Sequence, residues 1–76
     1  MKHGWEDRIQ SDPNILRGKP CFKNTRIPVA LILGYLASGK DAAHIIAEFP
    51  DLTALDVSAA LQYARDLADF EALGAA

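Results

Sequence analysis

The chain has 76 residues, half of them apolar and 24% charged, with a net charge of −2. That length makes one domain, which buries only about 60% of its unfolded surface and gains from a partner subunit, and the composition excludes a disordered chain. The longest apolar run, Ile27 to Leu33, contains a proline and falls far short of the roughly 20 residues of a transmembrane helix.

The opening residues are not expected to act as a cleavable leader, and Cys21 is the one cysteine, so no internal disulfide is expected and the usage fits a reducing compartment. The expectation is a soluble, cytoplasmic protein. Charge is unevenly spread: residues 1–27 carry a balance of +3 and residues 28–76 a balance of −5. A polyanion is therefore expected to meet the N-terminal part.

Met1 to Asp7 reads as a flexible, frayed arm, although Trp5 is too large and apolar to remain in water and is expected to dock. After Ile9, the cluster Ser11-Asp12-Pro13-Asn14 predicts a turn, with Ile15 and Leu16 pointing back to a core. Pro20 and Pro28 then bracket an alternating run with a Lys23-Asn24-Thr25 centre. It predicts two brief strands joined by a tight turn, with Asn24 suited to a left-handed position.

A first helix is predicted from about Pro28, placed in its first turn, to Ala37. Val29, Ile32, Leu33 and Leu36 form its apolar stripe, and Leu31 and Tyr35 lie off it as a second apolar face. Ser38-Gly39 ends this helix, and Asp41 caps a second helix of about Ala42 to Glu48. Ala42, Ile45, Ile46 and Phe49 are its buried face, and Pro50 bars continuation.

Thr53-Ala54-Leu55-Asp56 is a capping box that starts a third helix at Thr53, with Leu52 and Val57 as a hydrophobic staple. Its core stripe is Val57, Leu61, Ala64 and Leu67 or Ala68, while Leu55, Ala59 and Tyr63 lie off it. Residues 70–76 are expected to fray. The fold expected is mainly α: an N-terminal β-hairpin followed by a three-helix helix-turn-helix-like core, homeodomain-like or winged-helix-like, in one domain over residues 8–69.

Several segments, read together, resemble the bacterial and archaeal family called domain of unknown function 433. They are Arg8-Ile9-Gln10-Ser11-Asp12-Pro13-Asn14-Ile15-Leu16-Arg17-Gly18-Lys19-Pro20, then Lys23-Asn24-Thr25-Arg26-Ile27-Pro28-Val29, then Phe49-Pro50-Asp51-Leu52-Thr53 and Ala59-Ala60-Leu61-Gln62-Tyr63-Ala64. The resemblance covers roughly Arg8 to Leu67. It implies a small helix-turn-helix-like domain with an N-terminal hairpin, of a kind regarded as antitoxins encoded beside a toxin with a PIN-like nuclease fold. The sequence departs from the family pattern where Arg17 replaces the first of two glycines and Asn24 replaces a turn glycine. Arg17 is therefore expected to have an ordinary φ.

For nucleic-acid contact the candidates are Lys19, Lys23 and Arg26, which can grip phosphates, then Arg8 and Arg17. The plainer alternative is a solvated hairpin surface. The third helix is a poor direct reader of bases, offering only Ser58, Gln62 and Arg65. Trp5, Tyr35, Leu55 and Tyr63 are the candidates for a protein interface, the alternative being closure of a small core. Asp51 and Asp56 are read as complementing the positive end of the third helix.

His3, Cys21 and His44 match no paired metal-ligand spacing, and no metal or cofactor is expected. Cys21 reads as a buried structural thiol rather than a nucleophile, and no phosphate loop or triad signature is present. The expectation is a non-enzymatic, antitoxin-like protein that masks a PIN-like toxin, binds operator DNA and forms a homodimer, with no membrane and no small-molecule substrate. The alternative is a stand-alone helix-turn-helix DNA-binding regulator or adaptor.

Overall fold

The structure, a computed structural model, describes residues 4–75, with side chains through Asp69. Two short strands, β1 (Ile9–Gln10) and β2 (Cys21–Phe22), precede three helices, α1 (Val29–Ala37), α2 (Ala42–Glu48) and α3 (Ala54–Ala75). The expected mainly helical domain with an N-terminal antiparallel pair is present.

The strand pairing differs from the expected one. β2 pairs with the distant β1, with Ile9 opposite Phe22 and Gln10 opposite Cys21, rather than with the segment just beyond the turn. That segment adds one bridge, Cys21 to Pro28, with Phe22 N–H donating to the Ile27 carbonyl at 3.1 Å. Pro28 has no N–H to extend a ladder, whereas β1 brings the buried Ile9 beside Phe22. The tight turn itself forms as expected: Asn24 has φ 64°, and the Thr25 hydroxyl donates to the Phe22 carbonyl at 2.7 Å.

The loop between the strands begins with the expected turn, in which the Asn14 N–H donates to the Asp12 carboxylate at 2.8 Å. It continues through three successive left-handed residues, Leu16 (φ 51°), Arg17 (φ 58°) and Gly18 (φ 84°). This corrects the ordinary φ expected for Arg17. The backbone closes the turn with hydrogen bonds from Gly18 to Ile15 at 3.0 Å and from Lys19 to Leu16 at 3.1 Å. Leu16 is turned outward and 38% exposed, so only Ile15 of the expected pair is partly covered.

Pro28 stands one residue outside α1, as its N-cap with ψ 141°, because Val29 N–H is held by the Pro20 carbonyl at 3.0 Å. At the other end Gly39 takes φ 96°. Lys40 N–H reaches the Tyr35 carbonyl at 3.0 Å and Gly39 N–H the Leu36 carbonyl at 3.1 Å, the paired bonds of a Schellman termination. Asp41 then caps α2 by accepting from His44 N–H at 2.9 Å.

α3 opens on the expected capping box, with Thr53 N–H donating to Asp56 Oδ2 at 2.9 Å and Asp56 N–H to Thr53 Oγ1 at 3.4 Å. Leu52 and Val57 are both buried in the main core. That core joins Ile9 and Phe22 of the sheet, Val29 and Ile32 of α1, Ile45 of α2, and Ala59 and Ala60 of α3. Ile32 and Ile45 are fully enclosed, each such burial contributing about 1.5–3 kcal/mol.

Two leucines expected in the core stripe of α3 are outside it: Leu61 is 51% exposed and Leu67 46%. The small Ala59 and Ala60 face the body instead. Leu67 continues the spacing of Val57, Ala60 and Ala64, but at 22 residues α3 runs about 33 Å and outreaches the 9-residue α1 and 7-residue α2. The helix continues to Ala75 through the stretch where fraying was expected.

Residues 5–7, placed in the expected arm, form a 3-10 turn against α3, and Met1 to His3 lie outside the described residues. Trp5 docks there. Its indole N–H donates to Asp66 Oδ2 at 2.7 Å, and its ring meets Tyr63 edge-on at 4.9 Å between centroids. Such an aromatic pair is worth about 0.5–1.5 kcal/mol beyond its buried area.

Candidate functional site

The connections on either side of β2 carry four of the basic candidates, Arg17 and Lys19 in the loop from β1 and Lys23 and Arg26 in the turn after it. Arg17, Lys19, Lys23 and Arg26 are all exposed, and none takes part in an ion pair among the described residues. Arg8 differs. Its Nη1 lies 3.2 Å from Asp56 Oδ1, with the carboxylate side chain only 13% exposed, while Asp56 Oδ2 serves the α3 capping box. One carboxylate thus fastens the N-terminal segment to the start of α3, and Arg8 is already engaged. Arg65 pairs with Asp69 at 3.9 Å on an exposed surface, where such pairs contribute at most about 1 kcal/mol.

Beside the free cations lies an open groove of about 380 Å³ lined by Gln10, Ile15, Asn24, Thr25 and Arg26. Four stretches of chain make it: β1, the loop after it, the turn after β2 and the segment leading to α1. Composition and charge point to Arg26 alone among these. Gln10 carries no sequence signal beyond being the polar partner of Ile9 in a two-residue strand, and only the long-range pairing of β1 with β2 brings it here.

The α3 candidates Ser58 and Gln62 are exposed. With Gly4, Arg8, Leu55 and Ala59 they line a smaller groove of about 150 Å³ between the N-terminal turn and the helix. The described side chains of α3 include one base, Arg65, and three acids, Asp56, Asp66 and Asp69.

The four interface candidates separate in space. Trp5 and Tyr63 are half-buried against each other and against the core. Tyr35 is likewise half-buried, with its ring 5.7 Å from that of Phe49 and its hydroxyl donating to Glu48 Oε1 at 3.3 Å. Partial desolvation raises the Tyr35 pKa above its ordinary 10.0, and the charge of Glu48 and the hydrogen bond to it add to the effect. Leu55 is 61% exposed, and so are Leu61 and Leu67, read from sequence as core, at 51% and 46%; the three point to different sides of α3, with Leu67 on the body-facing stripe beyond its neighbours.

Cys21 is buried, and its thiol donates to the Lys19 carbonyl at 3.3 Å. His44 sits on an exposed part of α2, its Nε2 3.1 Å from Glu48 Oε2, so the two are not brought together as nucleophile and base. Among the described residues no three His, Cys, Asp or Glu side chains converge on one point. No described helix is long and apolar enough to cross a membrane.

The fold and surface define a small domain in which an antiparallel strand pair with basic connections is mounted on three helices, the last long and acidic. The chain belongs to the family described as Protein of unknown function (DUF433), whose model matches residues 9–64. A crystal structure of a DUF433 member protein from Anabaena variabilis is similar, with a TM-score of 0.74 and 36% identity over 80% of this chain. The chain spans 60% of that protein's length. No curated protein matches.

Proposed function

We propose that this protein is antitoxin-like, covering a PIN-like nuclease through α3 and contacting operator DNA through the basic connections that flank β2. The observation that carries the partner reading is the exposure of Leu55, Leu61 and Leu67, by 61%, 51% and 46%, on a predominantly acidic helix; spaced six residues apart they lie about 120° from one another around its axis, so the partner meets more than one side of α3. Apolar side chains set among carboxylates suit a partner with an apolar contact surface beside a cationic or metal-bearing site. The unpaired cations Arg17, Lys19, Lys23 and Arg26 support the DNA contact through phosphate neutralisation. A marginally small domain with spare apolar surface also favours a homodimer.

The test is to recover tagged protein from its native host after nuclease treatment and identify stoichiometric companions by mass spectrometry, alongside a Leu61→Glu, Leu67→Glu variant. A nuclease-fold companion that is present with the parent and lost with the folded variant supports the reading. Recovery of self-associated protein alone overturns it.

A second reading, a stand-alone DNA-binding regulator, is favoured by the same unpaired cations, which need no toxin to act. Purified alone, such a protein binds a specific duplex at moderate salt, and Ala at Lys19, Lys23 and Arg26 lowers the salt slope by about one for each lost phosphate contact.

A further inference from the structure

We propose that the N-terminal arm, Gly4 to Gln10, is exchangeable between two copies of this chain, each arm pairing with β2 and α3 of the other copy to give an arm-swapped dimer. The inference rests on the homodimer reading and specifies how the copies join. It is independent of the nuclease and DNA contacts.

The arm is held by distant parts of the chain. Ile9 and Gln10 pair with Phe22 and Cys21, and Lys23 N–H donates to the Arg8 carbonyl at 2.8 Å. Trp5 reaches Asp66 across 61 positions and Arg8 reaches Asp56 across 48, while the Trp5 ring lies against Tyr63. Residues 11–18 form the hinge between the arm and these partners. None of them is buried. Hydrogen bonds from Asn14 and Ile15 to Asp12, and from Gly18 to Ile15, close the hinge upon itself. Opened, its eight residues span up to about 26–29 Å, more than the 23 Å shortest dimension of the domain, so the arm reaches the same sites on a neighbouring copy.

The closed hinge is also strained. Leu16 (φ 51°) and Arg17 (φ 58°) are adjacent side-chain-bearing residues in the left-handed region, where Cβ crowds the following carbonyl and such residues ordinarily occur singly. Opening releases both. The contacts of the arm with β2 and α3 are remade on the second copy, so they cancel in the exchange. The balance is left to hinge strain, which favours exchange, and to the freedom lost on association, which rising concentration offsets.

Gln10→Cys provides the test. Position 10 stands opposite the native Cys21, and the Cα spacing of an antiparallel pair, about 4.5–5.5 Å, lies within disulfide reach. In a closed monomer the oxidised pair lies within one chain, whereas in an arm-swapped dimer two such bridges join two chains. The variant is refolded from urea at micromolar and at millimolar concentration, mildly oxidised, and followed by light scattering, non-reducing mass measurement and peptide mapping. Bridges within one chain are expected at micromolar concentration, and bridges from position 10 of one copy to Cys21 of the other at millimolar. A dimer whose bridges all lie within single chains overturns the exchange and leaves a homodimer joined by another surface. A monomer at both concentrations overturns the exchange and the homodimer reading together.

Two hinge variants in the otherwise unchanged chain push the balance in opposite directions. Arg17→Gly relaxes the closed loop in both copies, so the effect on one hinge is squared and the dimer is expected to weaken about 5- to 30-fold. Arg17→Pro fixes φ at about −65° and drives Leu16 toward extended backbone. It opposes the closed loop and is expected to be dimeric already at micromolar concentration. Dimerisation that neither substitution moves overturns the proposal. Circular dichroism checks each fold, and Arg17→Gly decides alone where the proline chain is unfolded.

Discussion

Arg17 holds φ 58° and ψ 35° between two other left-handed residues, so Arg17→Gly isolates the cost of that backbone. An L-residue in this region is disfavoured by roughly 1–2 kcal/mol because its Cβ crowds the following carbonyl. Glycine removes that cost but returns about 0.5–1 kcal/mol through the greater freedom of the unfolded chain. Arg17 is exposed and has no side-chain partner among the described residues, so no contact is lost with it. The expected net effect is a stabilisation of about 0.5–1 kcal/mol, or a rise in Tm of about 2–8 °C for a domain of this size. Urea unfolding at constant slope measures it, and Arg17→Ala is the control. Alanine deletes the charge and the stem but keeps the Cβ, and should stay within about 0.5 kcal/mol of the parent. Destabilisation by glycine, or equal stabilisation by alanine, would refute the argument, the second because the side chain rather than the backbone would then be responsible.

Three further outcomes are expected. Asp56→Ala removes the carboxylate half of the α3 capping box and the Arg8 pair together and should cost about 1–2 kcal/mol in urea unfolding, whereas Arg8→Ala loses only the half-exposed pair and should cost less than about 1 kcal/mol. Leu61→Ala should change stability by no more than about 0.5 kcal/mol, against about 2–5 kcal/mol for Ile45→Ala in the enclosed core; a large loss at Leu61 would show that it packs. Tyr35, whose pKa is raised above 10.0 by desolvation first and Glu48 second, binds its proton more tightly folded than unfolded. The associated stability is complete below the unfolded pKa and is lost as pH rises through the folded one. Ultraviolet titration of a Tyr63→Phe protein should place the Tyr35 midpoint above 10.0, and a midpoint at or below it would contradict the assigned environment.

What the sequence determined by itself is what short-range chemistry controls. Gly39 after Leu36, Asp41 before Ala42 and the Thr53–Asp56 box each place a helix end, because capping is settled within one turn of chain. Asn24 was legible for the same reason, its left-handed turn needing only its neighbours. The motif order around these points was also enough to place the family. The tertiary structure decided whatever depended on distant partners. β2 took Ile9–Gln10 rather than the segment beside it, since the long-range pairing buries Ile9 beside Phe22 while Pro28 limits the local one. Arg17 accepted a left-handed conformation because the loop between those strands must close, which its side chain does not foretell. α3 turned Ala59 and Ala60 inward and left Leu61 and Leu67 outside, because helix spacing fixes which residues share a stripe but not which stripe meets the body or where the neighbouring helices end. The groove beside Arg26 belongs to the same class. Gln10 and Asn24 are 14 positions apart, and both line it only because β1 pairs with β2.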